Sequence, residues 1–155
     1  MSGFTSPFDL PLDGAAAPAR IPSVEARDAL GVDILFLDDY VVTPDGDYQL
    51  VAGLENLRRW ILRCLLVSQG EFRVRPSFGA GVAQFVKKPI TAARRDELRN
   101  RILEQLRRDD RIEQIQEVAI ETVTINAKPA VRIRVRVQAL GRAVEFQPFS
   151  FAREA

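Results

Sequence analysis

Residues 131–137 read Val131-Arg132-Ile133-Arg134-Val135-Arg136-Val137, with apolar and basic side chains in strict alternation. A period of two puts every branched residue on one face of a strand and every arginine on the other, so one face is buried. Upstream, Gln116–Ile125 alternates in the same way, and Asn126-Ala127-Lys128-Pro129 between the two reads as a four-residue turn. Such a loop sets Ile120 opposite Val135, Val118 opposite Val137 and Glu121 opposite Arg134. Apolar residues then share one face, and the exposed pair is oppositely charged. Downstream, Val144 and Phe146 face one way, while Phe149 and Phe151 face the other unless a bulge near Pro148 realigns them. Pro148 also argues against a central strand paired on both sides. The C-terminal third is therefore an antiparallel sheet with an open edge strand.

Two helices precede that sheet. In Gly53–Val67 the residues Leu54, Leu57, Ile61 and Leu65 recur at three- and four-residue steps, and Trp60, Leu62, Cys64 and Leu66 widen the apolar face. Arg58, Arg59 and Arg63 mark the wetter side, and Gly70 suits a position just beyond the helix end. A second helix starts with Thr91 as N-cap and runs to about Asp109, with Leu98, Ile102 and Leu106 as its buried stripe. Glu97–Arg101 and Glu104–Arg108 are acid-before-base pairs at the i, i+4 spacing. Between the helices, Gly70–Gly81 reads as a short strand leading into a glycine-rich bend.

Toward the N-terminus, Ile34–Leu37 and Tyr40–Val42 are strand-like, Pro44-Asp45-Gly46-Asp47 is a turn, and Tyr48–Val51 returns as a strand. The fold class is thus α+β: an N-terminal β-hairpin, two main helices, and the C-terminal sheet. Residues 1–31 hold Pro7, Pro11, Pro18 and Pro22 of the nine prolines and read as an extended arm. Phe4, Phe8 and Leu10 are the residues that would anchor such an arm on a neighbouring surface. Residues 32–155 are expected to form a single domain.

Composition removes several functions. The 155 residues contain no histidine and one cysteine, Cys64. Imidazole chemistry, the usual structural zinc sites and an internal disulfide are therefore excluded. No apolar run reaches the roughly 20 residues that span a bilayer. Asp38, Asp39, Asp45 and Asp47 lack EF-hand spacing and are turn chemistry. Gly79-Ala80-Gly81 lacks the remainder of a phosphate loop. Nothing near Cys64 in the sequence activates it, so it is read as packing. The arginine face of the second helix carries interspersed acids and no stacking aromatics, which argues against nucleic acid. No cofactor and no metal are expected. The net charge of +1 hides an asymmetry. Residues 1–52 set two arginines against nine acids, and residues 53–155 set 20 bases against 12 acids, so the two parts carry −7 and +8. That split is satisfied within the fold or by partners of opposite sign.

One order of features carries a resemblance. Gly53-Leu54-Glu55-Asn56-Leu57 opens a helix, Gly70-Glu71 follows it, and Pro76-Ser77-Phe78-Gly79-Ala80-Gly81 comes next. A second helix then ends in a charged tripeptide before Ile112. Over about residues 33–125 this resembles the baseplate wedge and sheath-initiator family, also called lysozyme-like baseplate proteins, of contractile phage tails, type VI secretion systems and contractile injection machines. The resemblance implies structural, non-enzymatic work. In that family a Glu-Pro-Arg tripeptide helps hold the wedge core bundle, and Asp109-Asp110-Arg111 stands at its place, with Asp110 where the family has proline. Family members also template the first sheath ring with C-terminal strand edges, which places that role on Val144, Phe146, Phe149 and Phe151. Deleting Val144–Ala155 is then expected to leave a folded protein that no longer nucleates sheath.

The partners implied are wedge subunits and sheath protein, with tube, spike and hub proteins as further candidates and a copy number that is a multiple of six. Assembly in the cytoplasm into a tail-like particle follows from the same resemblance. Two alternatives stand beside it. A peptidoglycan hydrolase needs two carboxyl groups across a cleft, for which Glu71 and Glu55 are the least poor candidates. A soluble protein-binding regulator of similar fold needs neither.

Overall fold

The computed structural model describes residues 29–35 and 40–152. Of the expected arm only residues 29–31 are included, and Phe4, Phe8, Leu10 and residues 36–39 lie outside the described residues. The elements are β1 (Val32–Ile34), β2 (Leu50–Ala52), α1 (Gly53–Leu66), α2 (Val82–Val86), α3 (Ala92–Leu106), β3 (Gln114–Ile125), β4 (Lys128–Ala139), β5 (Arg142–Glu145) and β6 (Phe149–Ala152). The architecture is α+β, with an N-terminal antiparallel strand pair and a C-terminal antiparallel sheet. Two compact units divide the chain, and their boundary follows Leu57, inside α1. Among the described residues, no helix is long and apolar enough to cross a membrane.

In the first unit β1 and β2 pair antiparallel, with Ile34 opposite Leu50 and Val32 opposite Ala52. The Leu35 amide donates to Gln49 O at 2.7 Å, and a bridge between Val42 and Tyr48 continues the hairpin inward. Its turn is closed by local bonds, as the sequence predicts: the Thr43 amide donates to Asp47 O, and the Asp47 amide to Thr43 Oγ1. Gly46 takes φ +83°, a left-handed position that suits glycine. Leu30 is buried, and the buried Asn56 amide group donates to its carbonyl at 3.0 Å. Val32, Ile34, Tyr40, Val42, Tyr48 and Leu50, in contrast, are all exposed.

In the second unit Ile61 and Leu65 of the stripe read from the spacing are wholly buried, and so is Cys64 beside them. The short strand expected after Gly70 is absent. Residues 67–81 instead form turns that double back on the end of α1: Gly70 donates to Pro76 O, Ala80 to Cys64 O and Gly81 to Val67 O. These amides are spent locally, so no neighbouring strand is recruited, and Phe72 and Val74 both remain exposed. Gly79 is required here, because a Cβ would stand 2.1 Å from Val67 O at a backbone φ of +106°.

α2 is a five-residue helix that buries Val82, Phe85 and Val86. Its length is too short to show a period in the sequence. α3 begins where predicted, with Thr91 Oγ1 accepting from the Arg94 amide, and buries Leu98, Ile102 and Leu106. It stops three residues before Asp109. Both expected ion pairs on its surface form.

The β3–β4 hairpin turns on two residues, Asn126 and Ala127, at φ 50° and 60°, rather than four. Ile120 therefore faces Ile133, Val118 faces Val135 and Glu121 faces Arg132. The register differs from the expected one by two residues, and an even shift preserves which side chains share a face. Val118, Ile120, Val131, Ile133, Val135 and Val137 are accordingly buried. Glu121 still meets Arg134, now diagonally. A shift between Ile115 and Glu117 marks a bulge near the start of β3.

β5 and β6 both pair with the same side of β4, end to end. The Phe146 amide donates to Val135 O, yet Phe149 stands opposite Ile133, so one extra residue is accommodated at Gln147-Pro148. That bulge realigns the two phases. Val144, Phe146 and Phe149 consequently share the buried face.

Candidate functional site

Two places gather the residues singled out in the sequence. The first is the end of α3. Arg111 grips Asp109 through Nε to Oδ1 at 2.8 Å and Nη2 to Oδ2 at 2.6 Å, while the Arg111 amide also donates to Oδ1 at 3.0 Å. The Asp109 side chain is 9% exposed and that of Arg111 22%. Burial would raise the Asp109 carboxyl, but the hydrogen bonds and charge of Arg111 outweigh it and hold the group below its ordinary value. Asp110, between them, is exposed. The tripeptide thus has one internally satisfied pair and one free carboxylate pointing outward.

This pair is tied to α1. The Arg111 guanidinium lies 5.3 Å from the Trp60 ring centroid, Trp60 meets Phe78 edge-on at 6.3 Å, and Phe78 stacks on Phe72 at 5.7 Å. The buried Gln105 braces the same region: its Nε2 donates to Ser77 O at 2.8 Å and its Oε1 accepts from the Gly79 amide at 3.1 Å. Arg108 adds bonds to Ser77. The Pro76–Gly81 segment and the tripeptide are therefore parts of one braced corner. Sequence reading missed Gln105. Its signal was a polar residue on the apolar stripe of α3, where it must find backbone partners.

Glu71, the candidate hydrolase carboxylate, accepts from the Ser68 amide at 2.9 Å and shapes the turn after α1. Glu55 sits in the first turn of α1, where its charge suits the helix dipole. The Cys64 thiol is pushed up to about 12, chiefly by burial, with the charge of Asp109 adding to the rise and Arg108 opposing it. At neutral pH it is a protonated core group, in keeping with the packing role. Among the described residues no cluster of His, Cys, Asp or Glu could hold a metal ion.

The second place is the β5–β6 side of the sheet. The side chains of Val144, Phe146 and Phe149 are in the core, and Arg58 covers Phe149 with its guanidinium 5.3 Å from the ring. Phe151 is half-buried. Removing Val144–Ala155 would therefore strip three core side chains, so the expectation that such a deletion leaves a folded protein does not hold. What faces outward here is backbone. Within β4, Val135 O is turned to the β5–β6 side and Gln138 O to the β3 side. Alternation then directs the amides and carbonyls of Ser150 and Ala152 away from β4. Among the described residues no strand pairs with that flank of β6.

The outer face of the sheet carries a ladder of alternating charge. Arg136 reaches Glu145 at 3.0 Å and Glu117 at 3.8 Å, and Arg134 reaches Glu121. These are half-exposed pairs worth a few tenths of a kcal/mol to about 1 kcal/mol each. They help fix register more than stability.

Residues 32–139 match the family described as contractile injection system sheath initiator. Among solved structures, the chain resembles a protein of the anti-feeding prophage baseplate, determined by electron cryomicroscopy with sixfold symmetry. That likeness has a TM-score of 0.58 at 24% identity and covers 76% of this chain and 91% of that one. A second resemblance is to a putative tail lysozyme from Geobacter sulfurreducens, with a TM-score of 0.47 at 21% identity, covering 66% of this chain and 92% of the other. No curated protein matches.

Proposed function

The chain belongs to the contractile injection system sheath initiator family, and from that premise we propose that it joins the wedge core of a baseplate to the first sheath ring. It does so without bond-breaking chemistry. On this reading residues 32–155 work as one assembly domain, present in a multiple of six copies in a tail-like particle put together in the cytoplasm. The wedge contact is made by the exposed Asp110 beside the fixed Asp109–Arg111 pair, with Arg111 already held in place by Trp60. Because the pair is satisfied internally, little side-chain entropy remains to be lost when a partner docks.

The sheath contact is made by strand addition at β6. The observation that carries this is the one-sided pairing of β6 among the described residues, whose outward amides at Ser150 and Ala152 offer a template for a further strand. Val144, Phe146, Phe149 and Phe151 contribute by holding that edge rigid against the core, and the partner reads their backbone.

Reconstitution with wedge subunits and sheath protein, followed by electron microscopy, tests both contacts. Ser150→Pro removes an outward amide and leaves the inward ladder in place, whereas Ser150→Ala keeps the amide. Sheath is expected to form on baseplates carrying Ser150→Ala and to fail on those carrying Ser150→Pro. Asp110→Lys is expected to reduce incorporation into wedges. Normal sheath on the proline variant, or normal wedges with Asp110→Lys, would refute the corresponding contact.

A further inference from the structure

Apart from Leu140, every large apolar residue left exposed among the described residues lies either on the β1–β2 hairpin or, as Phe72 and Val74, in the turns after α1. On the hairpin these residues form one face. Tyr48, Leu50 and Ala52 alternate along the returning strand and so point the same way. Their cross-strand partners are Val42, Ile34 and Val32, which makes three apolar pairs side by side. Val51, the buried residue of β2, points the other way and stands opposite Asp33. An antiparallel pair ordinarily covers its apolar face and turns polar residues outward. Here the outward face is the apolar one, and an exposed patch of that kind marks a contact surface. Its surroundings are acidic. Residues 32–52 contain Asp33, Asp38, Asp39, Asp45 and Asp47 and no basic residue, a net charge of −5.

The second patch is basic. Phe72-Arg73-Val74-Arg75 is a tight turn closed by the Arg75 amide on Phe72 O at 3.2 Å, and the Gly70 amide ties its base to Pro76 O at 2.7 Å. Val74 is 92% exposed and lies between two exposed arginines. Among the described residues neither the Arg73 nor the Arg75 guanidinium has a partner. Phe72 stacks on Phe78, so the turn is held in place beforehand and loses little freedom when it docks. The signs of charge decide what fits the hairpin. Two hairpin faces set against each other would bring −5 to −5. Residues 1–28 set Asp9, Asp13, Glu25 and Asp28 against Arg20 and Arg27, which is the hairpin's own sign. The 72–75 turn supplies apolar side chains together with the opposite charge. The spacing agrees as well: Asp47 adjoins Tyr48 in the chain just as Arg73 and Arg75 adjoin Val74, so an apolar seat there sets opposite charges side by side.

We propose that the Phe72–Arg75 turn of a second copy of this chain docks on the outward face of the β1–β2 hairpin, with Val74 on the Val42–Tyr48 pair and the two arginines against Asp45 and Asp47. The contact is head-to-tail, so it links successive copies around a ring or along a chain. It is smaller than a standard interface and therefore weak singly, and closure of a ring strengthens it because each copy then makes two such contacts. It uses neither the β6 edge nor Asp110.

Analytical ultracentrifugation of the full chain at concentrations up to about 1 mM tests this, a range suited to a weak contact. The wild type is expected to associate. Arg73→Glu with Arg75→Glu, and Asp45→Arg with Asp47→Arg, should each weaken association about tenfold or more when measured alone. Mixed in equal amounts, the two variants should associate again, because each presents the sign that the other needs. Val74→Ser, at a site too exposed to affect folding, should also weaken association. Asp47 Oδ1 accepts from the Tyr48 amide, so Asp45→Arg alone takes the place of the double variant if the hairpin fails to form. A wild type that is monomeric throughout, the result expected if residues 1–28 or a different basic protein cover the hairpin, would overturn the proposal. So would charge variants that associate as the wild type does, a mixture without recovery, or Val74→Ser without effect. The measurement needs neither wedge nor sheath protein, so its failure would leave the contacts at Asp110 and β6 standing.

Discussion

The molecule contains two hairpins built from similar residues and put to different use. In the β1–β2 hairpin Val32, Ile34, Val42 and Leu50 stand exposed, together with two tyrosines whose rings touch at 5.4 Å. In the β3–β4 hairpin Val118, Ile120, Val131, Ile133, Val135 and Val137 are buried. Their turns differ as well. The first uses Gly46 at its left-handed position, and the second forces Asn126 and Ala127 into left-handed conformations. A hairpin covered by its own unit gains enough from burial to tolerate an unfavourable turn residue, whereas a hairpin left uncovered needs its turn chemistry to be right.

Three substitutions test that contrast and a fourth tests the braced corner at the end of α3, from strong to weak. Ile133→Ala opens a cavity under the covered hairpin and should cost about 3–4 kcal/mol in urea unfolding. A loss below about 1 kcal/mol would mean that this face is not the core. Asp109→Asn removes the carboxylate that Arg111 grips and should cost about 2 kcal/mol at neutral pH. Because Asp109 is held below its ordinary value of 3.8, its contribution is present above that value and is lost as pH falls through the depressed native value. The stability curves of the wild type and the Asp109→Asn variant should therefore converge in acid. Curves that stay parallel would show that the pair contributes nothing.

Ala127→Gly relieves a left-handed alanine in the covered hairpin and should stabilise by about 1 kcal/mol. A neutral or destabilising result would show the turn to be strain-free already. Leu50→Thr, on the uncovered hairpin, should change stability by less than about 0.5 kcal/mol. A larger loss would place Leu50 in a packed surface and erase the difference between the hairpins.

Much of this was legible in the chain. The alternation at 131–137, the stripe of α1, the cap at Thr91 and the two ion pairs on α3 depend on neighbours within a few residues. Strand register was legible only modulo two, because side-chain parity survives a shift of two residues while the turn length sets the actual pairing. The strand expected after Gly70 failed because local amide bonds replaced a ladder. Of the two proposed assembly sites, Asp109-Asp110-Arg111 could be located from the sequence. Which of its carboxylates is free depended on the geometry of Arg111 and Trp60. Val144, Phe146 and Phe149 could be named as the terminal strand, yet only the bulge at Gln147-Pro148 turned all three inward.

The chain alone determined its α+β class, its two main helices and the C-terminal hairpin, and the absence of imidazole chemistry, since composition and periodicity are local properties. Tertiary structure decided which backbone groups remained unpaired among the described residues, at β6 and along β3, and which charges were already spent on partners. An edge exists only relative to the strands that are present, so no reading of one strand's residues can say whether its outward amides have been taken.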